Sequence, residues 1–251
     1  MYNSHFIFTV KGVKQKLFIH KKRIKNYYNI FVIMENVNVL LATPAYCGNV
    51  CAQYTESLVH TCELLKGLNI KYTLKFINNQ LVTRARNMLC HIFMTDTQFT
   101  HLMFLDADVV WKPIDLVKLI RHKKECVIGV YPNKCYFWEN DKLILKPSSK
   151  LLPFKSTGDL IEVERAATGF MLLTKSALKR IEKDIETFKL PSGPNIETLY
   201  NYFDCNVVDQ DYLTEDFYFS YLFIKNGGKI YADTSINLLH IGNHEYGTLL
   251  R

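Results

Sequence analysis

Leu102-Met103-Phe104-Leu105-Asp106-Ala107-Asp108 is the stretch that decides the fold: an apolar run closed by two carboxylates one residue apart. An apolar run this short reads as a strand buried on both faces, the pattern of a parallel sheet. Ending in Asp-Ala-Asp, it delivers two negative charges to the rim of that sheet. In open α/β sheets ligands bind beyond the carboxyl ends of the strands, so the pair suits a metal ion that in turn holds phosphate oxygens. The bland alternative is an N-capping or loop-solvating pair ahead of the helix opening near Pro113, and so short a motif leaves both open.

Upstream, 37–41 reads as a first strand, followed by a turn-rich loop over 42–49 and a helix over 52–66 closed by Gly67. A second strand over 72–77 completes a βαβ opening, the mark of a parallel sheet. Thr83-Arg84-Ala85-Arg86-Asn87 starts a helix to about Met94, 101–105 is the next strand, and Pro113 suits the first turn of a helix to about His122. Strands follow at 126–131, 160–165 and 170–173. The looser stretch 132–159 suggests a hairpin or flap, and 190–210, rich in Pro, Gly and Asn, a long loop arching over a site. A helix over 212–225 and late strands at 229–232 and 237–239 bring His240 to an edge. The expected class is α/β, with a mainly parallel central sheet flanked by helices.

The net charge of +7 hints at nucleic acid until it is located. Lys11, Lys14, Lys16, Lys21, Lys22, Arg23 and Lys25 carry seven positive charges before the first acid, Glu35, leaving 24 basic against 24 acidic residues. A neutral body argues against a broad nucleic-acid footprint. The basic, aromatic segment 1–33 reads as an extension ahead of a domain over 34–251, with Met34 an alternative start and the basic tail able to touch an anionic membrane surface. Its apolar pieces fall short of the roughly 20 residues of a membrane span and lack a signal-peptide pattern. The seven cysteines, odd in number and without a Cys-x-x-Cys pair, fit a reducing, cytoplasmic setting rather than a disulfide framework.

Leu-Ala-Thr-Pro-Ala-Tyr at 41–46, Thr-Arg-Ala-Arg-Asn at 83–87, Phe-Leu-Asp-Ala-Asp at 104–108 and Gly-Val-Tyr-Pro-Asn-Lys at 129–134 occur in a consistent order. They are followed by Ala-Thr-Gly-Phe-Met-Leu at 167–172, Thr-Glu-Asp-Phe at 214–217 and Leu-His-Ile-Gly at 239–242. Over 37–247 this order resembles GT-A fold glycosyltransferases, particularly small bacterial, phage and giant-virus enzymes with an Ala-Thr-Pro-Ala-Tyr start. The resemblance implies a single GT-A (Rossmann-like) domain and transfer of a sugar from a nucleoside-diphosphate donor, UDP first, to a hydroxyl of a glycan or protein.

Such a transferase must hold a diphosphate, neutralise it as it leaves and deprotonate an acceptor. Asp106 and Asp108 are hard oxygen ligands for Mn²⁺ or Mg²⁺. The resemblance makes Asp108 the direct ligand, lets Asp106 reach the ribose or the metal through water, and offers His240 as a further ligand with His244 as competitor. Arg84, Arg86 and Asn87, at a helix start, suit phosphate or base edges, although the two arginines face different sides of the helix. The resemblance has Thr43, Pro44, Ala45 and Tyr46 frame the base, with Tyr46 free to stack and Pro44 otherwise a structural turn, and Gly169 permits close backbone approach to a ligand. Glu215 and Asp216 open a helix whose dipole favours ionised carboxylates able to accept a proton, and the resemblance makes Asp216 the first choice of general base. Trp111 either stacks on a sugar or packs. Two other classes stay open: a sugar nucleotidyltransferase, which would want a Lys-bearing glycine-rich loop after the first strand where only Gly48 stands, and a silent nucleotide- or sugar-binding module.

Overall fold

The computed structural model describes residues 7–10, 13–16, 36–139, 142–192 and 195–242. The chain divides into Met1–Asn36 and Val37–Arg251. In the first unit Ile7–Val10 pairs antiparallel with Val13–Lys16. Most of the basic extension, Met34 and His244 lie outside the described residues.

The second unit is built on an eight-stranded sheet whose strands, in chain order, are β1 (Asn38–Ala45), β2 (Lys71–Asn78), β3 (His101–Leu105), β4 (Cys126–Ile128), β5 (Lys150–Thr157), β6 (Leu160–Arg165), β7 (Phe170–Thr174) and β8 (Ile230–Asp233). Their order across the sheet is β5-β6-β8-β4-β7-β3-β1-β2. Six strands share one direction, and β6 and β7 run against them. The mainly parallel α/β sheet expected from the sequence is thus present, with β7 inserted antiparallel between β3 and β4. Helices α1 (Ala52–Gly67), α2 (Val82–Thr95), α3 (Pro113–Arg121), α4 (Lys175–Lys179) and α5 (Glu215–Lys225) accompany it.

The centre of the sheet follows from its apolar runs. Val39 to Ala42 in β1, Leu102 to Leu105 in β3 and Phe170 to Leu173 in β7 are essentially solvent-free, as strands covered on both faces must be. A ladder of aromatic rings then seats α5 on β3: Phe104 meets Phe203 edge-on at 5.3 Å, Phe203 stacks on Phe219 at 4.8 Å, and Phe219 on Phe223 at 5.9 Å. This contact brings the first turn of α5 over the carboxyl end of β3.

Three expectations change. The segment 42–45 is not loop: β1 continues to Ala45, paired with β2 through Thr43↔Phe76, Pro44↔Ile77 and Ala45↔Asn78. Pro44 is tolerated because β3 pairs with β1 only as far as Ala42↔Phe104, so beyond that point one side of β1 needs no N–H. The proposed long loop 190–210 is largely two antiparallel hairpins, Thr187–Ser192 with Asn195–Tyr200 and Asn206–Val208 with Asp211–Leu213. The second hairpin takes Tyr212 and Leu213, so α5 starts at Glu215 instead of 212. The stretch 132–159 does form a hairpin, Pro132–Glu139 against Lys142–Pro147, before the edge strand β5.

Candidate functional site

The Asp106-Ala107-Asp108 turn leaves β3 at its carboxyl end and is pinned by backbone hydrogen bonds from several sides. Asp106 N–H donates to Gly169 C=O at 3.0 Å, Cys51 N–H to Ala107 C=O at 2.9 Å, and Ile241 N–H to Asp108 C=O at 2.8 Å. Leu239–His240 adds a short antiparallel pairing to Val109–Val110, which delivers His240 beside Asp108. The loop between β6 and β7, the turn that follows β1, and the last described strand therefore all converge on the same two acids.

Asp106 belongs to a buried set. The Arg86 guanidinium, only 3% exposed, donates from Nη2 to Asp106 Oδ1 at 3.0 Å and Oδ2 at 3.3 Å, and from Nε to Glu215 Oε1 at 3.4 Å. Its plane also lies 5.4 Å from the Phe104 ring centroid. Burial opposes the guanidinium charge, but Asp106 and Glu215 outweigh it and hold Arg86 firmly protonated. Arg86 Nη1 is buried without a hydrogen-bond partner among the described residues.

Asp216, beside Glu215, is pushed up to about 6 by burial and by the Glu215 charge, against the opposing pull of hydrogen bonds from the Thr214 hydroxyl and the Phe217 N–H. The helix dipole expected to keep this acid ionised is thus overridden by desolvation and a like-charged neighbour. A carboxylate with this affinity is suited to take a proton near neutral pH.

Asp108 belongs to a half-exposed set. Lys134 Nζ donates to its Oδ2, and His240 Nε2 lies 3.5 Å from its Oδ1. Burial alone would raise this carboxyl, but His240 and Lys134 bring it down to about 2. His240 Nδ1 is 2.9 Å from the Pro132 carbonyl, which can only accept, so Nδ1 carries a proton and Nε2 is the nitrogen turned to Asp108.

Tyr131 connects the two sets. Its ring meets His240 edge-on at 4.9 Å, and its hydroxyl accepts from Gly169 N–H at 3.0 Å. Burial and the Asp106 charge push the phenol up, so it stays protonated.

These contacts reassign several residues. Asn87 is engaged within the fold: its Nδ2 donates to Asn201 Oδ1 at 2.6 Å and Phe203 C=O at 3.0 Å, and its Oδ1 accepts from Phe203 N–H at 2.9 Å. It clamps the segment whose Phe203 ring seats α5. Arg86 likewise turns inward to Asp106 and Glu215, while Arg84 is exposed on the other side of the helix. Thr43 is buried with its hydroxyl on Tyr54, and Tyr46 stands 67% exposed just beyond β1, open to a flat ligand. Gly169 is required by its own neighbours: a Cβ there would lie 2.5 Å from Tyr131 Oη and 2.9 Å from Asp106 Oδ2. Trp111 packs, its Nε1 donating to Thr61 Oγ1 at 2.8 Å.

Among the described residues no group of three His, Cys, Asp or Glu side chains is gathered to hold a metal ion. The triad of Asp106, Asp108 and His240 is not assembled, because Arg86 takes both Asp106 oxygens. What faces the open side is Asp108 with His240: hard oxygens plus an imidazole whose orienting Nδ1 hydrogen bond is of the kind that fixes metal-bound histidines. This donor set fits a Mn²⁺-like ion that keeps waters and takes ligand oxygens at its other positions. Tyr131 and Lys134 were in the quoted 129–134 stretch without a role. The strand expected over 126–131 stops at Ile128, and the signal for Lys134 is a basic residue in the segment that follows its carboxyl end.

No protein-family model matches the chain, and no curated protein matches it. Among solved structures it is similar to A197 from STIV, with 18% identity, a TM-score of 0.47, and coverage of 82% of this chain and 86% of that one. It is also similar to GalNAc-T7 solved with UDP, GalNAc and Mn²⁺, with 11% identity, a TM-score of 0.49, and coverage of 83% of this chain but 44% of that one. A third is 4-diphosphocytidyl-2C-methyl-D-erythritol synthase from Anaerococcus prevotii, with 9% identity, a TM-score of 0.35, and coverage of 61% and 77%. At these identities the likeness concerns the backbone course alone. The fold itself is α/β with a mainly parallel central sheet, and the acid pair stands at the carboxyl end of its strand β3. Among the described residues no helix is long and apolar enough to cross a membrane.

Proposed function

We propose that the chain is a metal-dependent glycosyltransferase that moves a sugar from a nucleoside-diphosphate donor, UDP-linked first, to a hydroxyl of a glycan or protein acceptor. The observation that carries this reading is the bridging of two acid pairs by one buried cation: Arg86 joins Asp106 of the 106/108 turn to Glu215 of the 215/216 pair. A diphosphate subsite and a proton acceptor are thereby held in fixed relation. Asp108 and His240 would hold a divalent cation, Mn²⁺ or Mg²⁺, which when bound supplies Lewis-acid neutralisation of the departing diphosphate. Tyr46 offers an exposed ring for the base. Asp216 receives the proton of the acceptor hydroxyl as that oxygen bonds to the anomeric carbon and the diphosphate leaves with the bonding electrons. Arg86 keeps Glu215 anchored, so that its charge sustains the proton affinity of Asp216.

The deciding experiment is a screen of nucleotide sugars for Mn²⁺-dependent release of the nucleotide. One donor should be turned over, and Asp108→Asn should lower that turnover by on the order of a hundredfold while removing its response to Mn²⁺. Turnover by Asp108→Asn with an unchanged Mn²⁺ response would sink the proposal.

A further inference from the structure

We infer that Lys134 is a built-in occupant of the cation position at Asp108, displaced when a divalent ion and a nucleoside diphosphate arrive together. This inference rests on the reading of Asp108 and His240 as the metal-holding pair. The ammonium of Lys134 sits on Asp108 Oδ2 while His240 Nε2 takes the side of Oδ1, so a cation already stands against the carboxylate that a metal would use.

Two further features favour a movable plug over a fixed ion pair. First, the stem of Lys134 lies against Gly242, where an added Cβ would come within 3.2 Å of Lys134 Cδ and 3.6 Å of its Cγ. The absence of a side chain at residue 242 leaves the lane the stem occupies. Second, Lys134 lies in the stretch where the Pro132–Glu139 hairpin strand loses register with its partner, between Pro132↔Pro147 and Tyr136↔Leu145. The residue can therefore turn without breaking a ladder pair. The same hairpin start also supplies the Pro132 carbonyl that orients His240, so the plug and the orientation of the imidazole share one support.

The energetics set the behaviour. A metal ion entering alone must separate Lys134 from Asp108 and leave the ammonium without a partner. A metal ion entering with a diphosphate provides that partner, because the displaced ammonium can pair with a phosphate oxygen. Metal and diphosphate then bind with positive coupling, and Lys134 is the residue that generates it. The site stays closed to adventitious cations until the donor is present.

The test is Mn²⁺ binding to the full chain, followed by the loss of the free-ion electron paramagnetic resonance signal, with and without UDP. Lys134→Met should bind Mn²⁺ about tenfold or more tightly than the unaltered chain when UDP is absent. UDP should then tighten Mn²⁺ binding by the unaltered chain more than by the variant, and Lys134→Arg should keep the weak, UDP-coupled behaviour. Unchanged urea midpoints would show that the variants are folded. Equal or weaker Mn²⁺ affinity in Lys134→Met without UDP overturns the inference and leaves the proposed transferase standing. Absence of Mn²⁺ binding in every variant, with UDP or without, removes both.

Discussion

Asp106 and Asp108 stand one residue apart on the same turn, yet each is neutralised in a different way. Asp106 is held by Arg86, a guanidinium 3% exposed, which also reaches Glu215 and lies over Phe104. Asp108, with 40% of its side chain exposed, is held by a lysine from a hairpin and a histidine from the last described strand. A buried ion network is sensitive to the loss of one partner, because the others are left charged in a medium that solvates them poorly. An exposed pair is insensitive, because water replaces whatever is removed. The first arrangement suits fixed geometry, and the second suits exchange with a ligand.

The largest expected effect breaks the buried side. Arg86→Met leaves Asp106 and Glu215 facing each other without a cation and should lower stability by about 3–5 kcal/mol, read as a shift in the urea midpoint. A loss under 1 kcal/mol would mean that the network is not closed in solution. Next comes Asn87→Ala, which strips the hydrogen bonds from Phe203 N–H and C=O beneath the aromatic ladder and should cost about 1–3 kcal/mol. Because Phe203 seats α5, this variant should also reduce turnover although the Asn87 amide is spent on hydrogen bonds within the fold. Full activity in a destabilised Asn87→Ala would detach α5 positioning from the site.

Asp216 gives the comparison a pH dependence. Its folded affinity for the proton is raised to about 6 from an ordinary 3.8. The folded state therefore binds the proton more tightly than the unfolded chain, so the contribution to stability is fully present below about pH 4 and is lost as pH rises through 6. Asp216→Asn should remove that slope. The general base proposed in Asp216 must be ionised to act, so kcat/KM should climb through about pH 6 and level off above it. A flat profile between pH 5 and 7 on the identified donor would assign the proton transfer elsewhere.

How much of this was legible in the sequence follows the same division. The strand at 101–105 and its acid pair were readable because a fully buried strand leaves an unbroken apolar run and its end leaves charges. The antiparallel strand β7 was readable as a strand, but its insertion between β3 and β4 was not, since pairing partners leave no local pattern. The 190–210 stretch read as a loop because Pro, Gly and Asn mark turns, and two short hairpins consist of turns separated by a few residues. At the candidate site, residue types point to one edge of the sheet but not to the partners each side chain takes there. Arg86 and Asn87 look like ligand-binding groups at a helix start, and only the packing of α5 shows that both face inward. Gly169 reads in the sequence as a place of close approach, and in the fold the groups that approach it are Tyr131 and Asp106.

The smallest effect is the sharpest measure of the exposed side. Lys134→Met removes a cation from direct contact with Asp108, a change that in the Arg86 set would be severe. Here the expected loss of stability is within about 1 kcal/mol, because water reaches both Asp108 and the space the ammonium leaves. Urea midpoints of Lys134→Met and Arg86→Met measured side by side therefore read the contrast directly. Equal losses would make Asp108 as structural as Asp106, and a site locked on both carboxylates would have no exchangeable position left for a donor's diphosphate.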